Sequence, residues 1–151
     1  MDRFDSESLP LSPAIRAGDF SSADLIFYGV RHGGPSFKAL LFFNLENADL
    51  DTPLEVESGY AGSFTVFGHG GCFGDEGHCH VPEEPKDPFD SRPLHPLTPL
   101  TKSVDVSDGL RWAAVGTDNL SVTVLPVVPQ PERAELADVL HFEAMRLAAY
   151  D

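Results

Sequence analysis

Residues 59–81 read GYAGSFTVFGHGGCFGDEGHCHV, and the stretch changes character halfway along. In its first half, Tyr60, Phe64 and Val66 alternate with small polar residues, which predicts a strand with one apolar face. Its second half is rich in glycine, whose freedom at positive φ allows the backbone to fold tightly. The stretch therefore predicts a strand that ends in a compact loop over residues 68–81.

This loop collects soft metal ligands. It contains both cysteines of the chain and three of its six histidines, namely Cys72, Cys79, His69, His78 and His80. Thiolate and imidazole suit Cu(I) or Zn(II), so the loop predicts a metal site, with copper as Cu(I) first and zinc as the alternative. His78, Cys79 and His80 are consecutive in sequence. Adjacent side chains on an extended backbone point to opposite sides, so these three cannot all bind one ion. Two other interpretations stay open, a Cys72–Cys79 disulfide or free thiol pair, and a glycine loop without special chemistry.

The composition indicates one globular domain. A chain of 151 residues with 42% hydrophobic residues is long enough to bury a core. Thirteen prolines and thirteen glycines point to many short elements joined by turns, which favours an all-β architecture over a helical bundle.

The charge and the apolar patterning exclude several classes of partner. Ten basic against 24 acidic residues give a net charge of −14, which repels phosphate backbones, so we expect no nucleic-acid binding. No basic region followed by an apolar run opens the chain, and no apolar stretch is long enough to span a membrane. We therefore expect a cytoplasmic protein without membrane contact. In that compartment we expect the two cysteines to remain thiols.

Further apolar stretches predict the other strands, at residues 24–30, 36–45, 54–58, 100–106 and 119–128. Alternation within these strands predicts one shared core that buries Phe64, Val66, Val104, Val122 and Val124.

The strands at 24–30 and 36–45 are apolar on both faces, so both faces need cover. The cover could come from the N-terminal arm, the C-terminal helix or another protein. The RHGGP sequence between the two strands predicts a hairpin or a Greek-key corner.

The ends of the chain carry different patterns. Residues 1–22 predict an arm whose first eight residues fray and whose later apolar residues contact the body. Residues 107–116 predict a short helix with Ser107 or Asp108 as N-cap. The region 130–151 has apolar residues at helical spacing and predicts a C-terminal helix.

The predicted fold is thus an antiparallel, jelly-roll-like β-sandwich over residues 23–129. It has six to seven strands, the short helix and the C-terminal helix.

Four stretches resemble a known family. GYAGSFTVFGH at 59–69 follows aromatic strands of the type FYGV at 27–30 and SFKALLFFN at 36–44. The sequence TPLTKSVDVSDGLRWAAVGTDNLSVTVLPVVP follows at 98–129. Together they resemble the C-terminal β-sandwich domain of tyrosinases, plant polyphenol oxidases and molluscan haemocyanins.

The resemblance implies an accessory role. In that family this domain can cover the entrance to the copper site and keep the enzyme latent, and related accessory domains use Cys or His to help deliver copper. The family's copper-binding half uses helical histidines, several of them four residues apart. The histidines here are at 32, 69, 78, 80, 95 and 141, and no two are four apart.

We therefore expect a non-catalytic accessory or chaperone subunit that docks on a tyrosinase-like type-3 copper oxidase, covers its active site and assists copper loading. The alternative is a structural protein-interaction module with a zinc-binding or metal-free Cys/His loop. A small enzyme with a mononuclear metal in that loop ranks last.

Overall fold

The computed structural model describes residues 3–69, 88–89, 97–129 and 139–151. Within these residues the chain forms nine strands and two α-helices. The strands are β1 (Phe4–Asp5), β2 (Leu9–Pro10), β3 (Ser22–Val30), β4 (Phe37–Phe43), β5 (Tyr60–Val66), β6 (Leu100–Asp105), β7 (Asn119–Leu120), β8 (Val122–Val127) and β9 (Ala144–Tyr150). The helices are α1 (Pro13–Ala17) and α2 (Ser107–Ala114).

The strands form an antiparallel sandwich. A four-stranded sheet has the order β1-β8-β4-β5, a three-stranded sheet has the order β6-β3-β9, and β2 pairs with β7. All of these pairings are antiparallel. The predicted all-β sandwich is confirmed. Six of the strands in the described part of the chain are longer than two residues.

The core lies between the two larger sheets. Phe27 of β3 contacts Phe64 of β5 with ring centroids 5.0 Å apart, and Phe37 of β4 lies 6.5 Å from Phe64. The five residues predicted to share the core are all buried in one cluster, namely Phe64, Val66, Val104, Val122 and Val124. Side-chain alternation therefore predicted the inward faces of these strands correctly.

A bulge in β5 places Tyr60 on the face opposite to the predicted one. Leu41 pairs with Gly62 but Phe42 pairs with Tyr60, so Ala61 is an extra residue in the ladder. The extra residue reverses the alternation, and the Tyr60 ring packs against Phe42 on the outer face of the sheet, 5.8 Å between centroids. The prediction that Tyr60 faces inward with Phe64 and Val66 is therefore wrong.

The second apolar face of β4 has its own cover. Leu40 and Phe42 are buried with Ala48 in a separate cluster, against which Leu45 and Tyr60 also pack. Among the described residues, this cover comes from within the chain, mainly from the segment that follows β4.

Two local predictions around β4 need correction. The RHGGP sequence does not close a hairpin, because β3 and β4 belong to different sheets. It crosses from one layer of the sandwich to the other, as in the Greek-key alternative. The strand predicted at 54–58 is also wrong, because Val56–Ser58 is a 3₁₀ turn that ends at Gly59 with φ of 83°.

The helix predicted at the C-terminus is wrong for the end of the chain. Ala144–Tyr150 is a strand that pairs with β3 along its whole length, from Ser22 opposite Tyr150 to Tyr28 opposite Ala144. Residues 130–138, the first part of the predicted helix, lie outside the described residues.

The N-terminal arm is attached to the body. Phe4 pairs with Val124, so the expected fraying does not extend through the first eight residues. Leu11, Ile15 and Phe20 are buried, as the apolar positions of the arm predict.

The short helix is present as expected, although Val106 occupies the N-cap position instead of Ser107 or Asp108.

Candidate functional site

One end of the sandwich brings together residues that follow β3 and β5 and a residue that precedes β6. These are His32, His69 and Thr98. The backbone N–H of His69 donates to the carbonyl oxygen of His32 at 2.9 Å. One residue earlier, the Gly68 N–H donates to Oγ of Ser36 at 3.0 Å. Two backbone donors thus attach the end of β5 to the connection between β3 and β4.

The crossing of these two segments requires glycine at position 68. A Cβ there would collide with the Gly34 carbonyl oxygen and lie 2.6 Å from the carbonyl oxygen of Pro35. Such contacts are closer than van der Waals radii allow, so any side chain would push the two segments apart. The close approach at Gly68 holds His69 beside His32.

The two imidazole rings approach each other through their Nδ1 atoms. Nδ1 of His32 lies 3.2 Å from Nδ1 of His69, with ring centroids 5.0 Å apart and planes inclined at 68°. The other nitrogen of His32, Nε2, lies 2.9 Å from the Thr98 carbonyl oxygen.

The hydrogen bonds assign the protons of the pair. A carbonyl oxygen only accepts, so Nε2 of His32 carries a proton and donates to Thr98. In the neutral ring Nδ1 of His32 then offers a lone pair, and His69 donates to it through Nδ1–H. Nε2 of neutral His69 is consequently a lone-pair donor as well. The pair can accept a proton or bind a metal ion.

Only one of the predicted metal ligands can be placed. His69 lies at the described end of β5, whereas Cys72, Cys79, His78 and His80 lie outside the described residues. Among the residues that the structure describes, no group of three His, Cys, Asp or Glu side chains could hold an ion. The Cys/His site therefore remains a prediction.

His32 is the residue that sequence reasoning left without a role. Its position near His69 follows from the strand register, because Phe37 pairs with Val66 in an antiparallel ladder. Continuing that register by three residues places position 34 opposite His69, and His32 is two residues away. The juxtaposition follows once β4 and β5 are known to pair, which local sequence does not reveal.

Asp105 and His141, outside the histidine pair, have shifted pKa values. The Ser107 hydroxyl and backbone N–H both donate to Asp105 and lower the pKa of its carboxyl below the usual range. Burial, together with nearby positive charge that includes Arg31, lowers the pKa of His141.

Two large aromatic side chains lie on the surface at opposite ends of β5. Phe67 directly follows the strand beside His69 and is 79% exposed. Trp112, on α2, is 58% exposed and lines a groove of about 270 Å³ together with Gly59. At about 3.3 Å per strand residue, the two ends are roughly 20 Å apart.

The fold and the site together define a class, an antiparallel β-sandwich domain that presents a pair of facing histidines at one end. Solved structures of latent aurone synthase, a polyphenol oxidase, share this fold. The enzyme from natural source superimposes with a TM-score of 0.58 at 16% identity, covering 99% of this chain and 24% of that chain. The recombinantly expressed latent enzyme gives a TM-score of 0.55 at 15% identity, with the same coverage of 99% and 24%.

The chain thus spans about a quarter of the length of these enzymes, 24%. At this level of identity the likeness establishes the fold alone. Neither the family models nor the curated proteins compared with the chain gave a match. Neither helix in the described part of the chain has the length and apolar character needed to cross a membrane.

Proposed function

We propose that this chain is a non-catalytic accessory domain that docks on a tyrosinase-like type-3 copper oxidase, covers its active site and assists copper loading. The observation that carries the proposal is the superposition of 99% of the chain on 24% of a latent polyphenol oxidase. The sequence motifs at 59–69 and 98–129 support the same family independently of the fold. The partner is the copper-binding part of such an oxidase, whether on a separate chain or on the same one.

The end of the sandwich that carries His69 faces the partner in this proposal. Phe67 lies at that end with 79% of its surface exposed. Aromatic side chains, phenylalanine included, are enriched in the core of protein–protein interfaces. An end that both contacts the oxidase and leads into the Cys/His loop brings metal ligands to the active-site mouth.

Copper loading assigns a role to the predicted ligands. Cys72 and Cys79 hold Cu(I) as thiolates, and histidines from the set His69, His78 and His80 complete the coordination. Soft sulfur selects Cu(I) over hard ions, so the acidic residues of the loop do not compete for it. Transfer to the oxidase then exchanges these ligands for the imidazoles of the type-3 site.

The test is co-expression of the chain with the copper-binding part of a tyrosinase-like oxidase. We expect the two to co-purify and the oxidase to gain copper or become latent in phenol oxidation. Phe67→Ala should weaken the complex about tenfold, a loss of about 1.4 kcal/mol. Trp112→Ala is the matched control, because it removes an exposed aromatic ring from the opposite end and should leave the affinity unchanged.

The outcomes separate the two candidate functions. Equal copper content and activity with and without the chain would contradict the accessory role. A complex that forms without any change in copper content or latency would favour the structural interaction module, with a loop that binds zinc or no metal.

A further inference from the structure

We propose that His32 and His69 form a Zn(II) site in which Nδ1 of each imidazole binds the same ion. The site adds His32 to the metal chemistry of the chain and uses only described residues. It needs no partner, so its failure leaves the docking proposal untouched.

The separation of the two nitrogens fits one tetrahedral ion. Zn–N bonds are about 2.0–2.1 Å long, and at a tetrahedral angle they place two ligand nitrogens about 3.3 Å apart. Nδ1 of His32 and Nδ1 of His69 are 3.2 Å apart. Square-planar coordination, which Cu(II) favours, would require a separation of about 2.8 Å at the same bond length. The separation of the two nitrogens therefore already matches the one that a tetrahedral Zn(II) ion requires.

The Thr98 carbonyl prepares His32 as a ligand. Histidines that bind metals almost always donate their other ring N–H to a carbonyl or carboxylate, which orients the ring and selects the tautomer. Nε2 of His32 makes this bond to Thr98 at 2.9 Å, so its Nδ1 lone pair is already directed at the site. Thr98, 66 residues away in sequence, thus orients the imidazole before any ion arrives.

His69 changes tautomer when the ion binds. Its Nδ1–H donates to His32 in the metal-free pair, and that proton must leave Nδ1 for the lone pair to bind Zn(II). The ring of neutral His69 can take the proton at Nε2, so binding requires no net loss of a proton. His69 is exposed, so water can carry the proton between the two nitrogens and fill the remaining coordination positions.

Donor type and charge select the ion. Nitrogen ligands suit zinc and neighbouring transition metals, whereas Ca²⁺ and Mg²⁺ prefer oxygen. The net charge of −14 raises the local concentration of cations around the chain.

The experiment is Zn(II) titration of the full chain against a chromophoric chelator. The variants are His32→Gln, His69→Gln and the Cys72→Ser, Cys79→Ser double mutant. We expect the cysteine double mutant to bind one Zn(II), and each glutamine variant made in that background to bind at least about 10-fold more weakly.

A second measurement determines which ring nitrogen of His32 binds the ion. In ¹⁵N-correlated spectra of the histidine side chains, Zn(II) should shift Nδ1 of His32 while Nε2 keeps its proton. Metal-free melting curves of the variants identify any that fail to fold. His69→Gln changes an exposed side chain and keeps the proposal testable even if His32→Gln unfolds.

Three results would overturn the proposal. The first is a wild type that does not bind Zn(II). The second is an affinity in both glutamine variants equal to that of the cysteine double mutant in which they are made. The third is loss of binding in the cysteine double mutant, since the ion would then need thiolates.

Discussion

Asp105 determines how strand β6 passes into helix α2. Its Oδ1 accepts hydrogen bonds from the Ser107 backbone N–H at 2.9 Å and from the Ser107 hydroxyl at 2.5 Å. The same hydroxyl accepts the N–H of Ala23 in β3 at 2.9 Å. A single carboxylate therefore fixes the start of the helix and, through Ser107, its attachment to the three-stranded sheet.

These hydrogen bonds favour the charged carboxylate and lower the pKa of Asp105 from its usual value of 3.8. A lowered pKa in the folded state contributes stability above about pH 4, and that contribution is lost as pH falls through the folded value. We expect the melting temperature of Asp105→Asn to fall below that of the wild type at neutral pH, and the difference to shrink toward pH 2.

Ser107→Ala removes one of the two donors to Asp105 and also the oxygen that accepts the Ala23 N–H, so it should lower the melting temperature even at pH 2, where the Asp105→Asn difference has shrunk. Thermal melts from pH 2 to 7 measure the effect. A difference between Asp105→Asn and the wild type that stays constant over this range would contradict the assignment.

At the scale of elements, strand β5 depends on one residue that has no side chain. Gly62 adopts φ of +142°, next to the bulge that turns Tyr60 to the outer face. A Cβ at Gly62 would lie 2.8 Å from Cγ1 of Val104, on strand β6 of the other sheet. The close approach of the two sheets at this point requires glycine for its backbone conformation and for its size.

Gly62→Ala should therefore destabilise the domain by about 1–3 kcal/mol, from backbone strain and from overpacking against Val104. Gly116→Ala is the control, because Gly116 also has positive φ, 77°, but a Cβ there meets nothing within 4 Å. We expect the smaller loss in the control. Urea unfolding of both variants measures the free energies, and equal losses would mean that packing against β6 contributes nothing.

At the scale of the whole molecule, stability comes from the aromatic layer between the sheets. Phe64 contacts rings from both sheets, Phe27 and Phe37, and only 7% of its surface is exposed. Phe27 in turn packs edge-on against Phe142, 5.2 Å between centroids, and so links the layer to the residues before β9. Removing one ring leaves its partners around a cavity that the rigid sheets cannot close.

Phe64→Ala should cost about 3–5 kcal/mol of unfolding free energy. Thr65→Ala, one residue along the same strand on its exposed side, should change stability by no more than about 0.5 kcal/mol. Chemical denaturation followed by far-UV circular dichroism measures both, and the native spectrum should be dominated by β-structure. Similar losses in the two variants would mean that Phe64 does not contribute to a common core.

The strands that carry a clean alternation could be recognised from sequence. In Tyr60–Val66, Leu100–Asp105 and Val122–Val127, apolar and polar side chains alternate within a few residues, which is a local property of a strand with one buried face. The same pattern identified the buried members Val104 and Val124. For the candidate site, the sequence indicated the loop after β5 and, within it, His69.

Only the tertiary structure decided the features that depend on distant pairing. Leu140 and Leu147 are seven residues apart, as on one face of a helix, whereas Met145 and Leu147 are two apart, as on one face of a strand. The edge of β3 supplied the hydrogen-bonding partner that made Ala144–Tyr150 a strand. Likewise, His32 and His69 are 37 residues apart in sequence, and their contact depends on where the strands before them end. Side-chain pattern is local and the sequence determines it directly, whereas strand partners and register are chosen by the free energy of the whole packed chain.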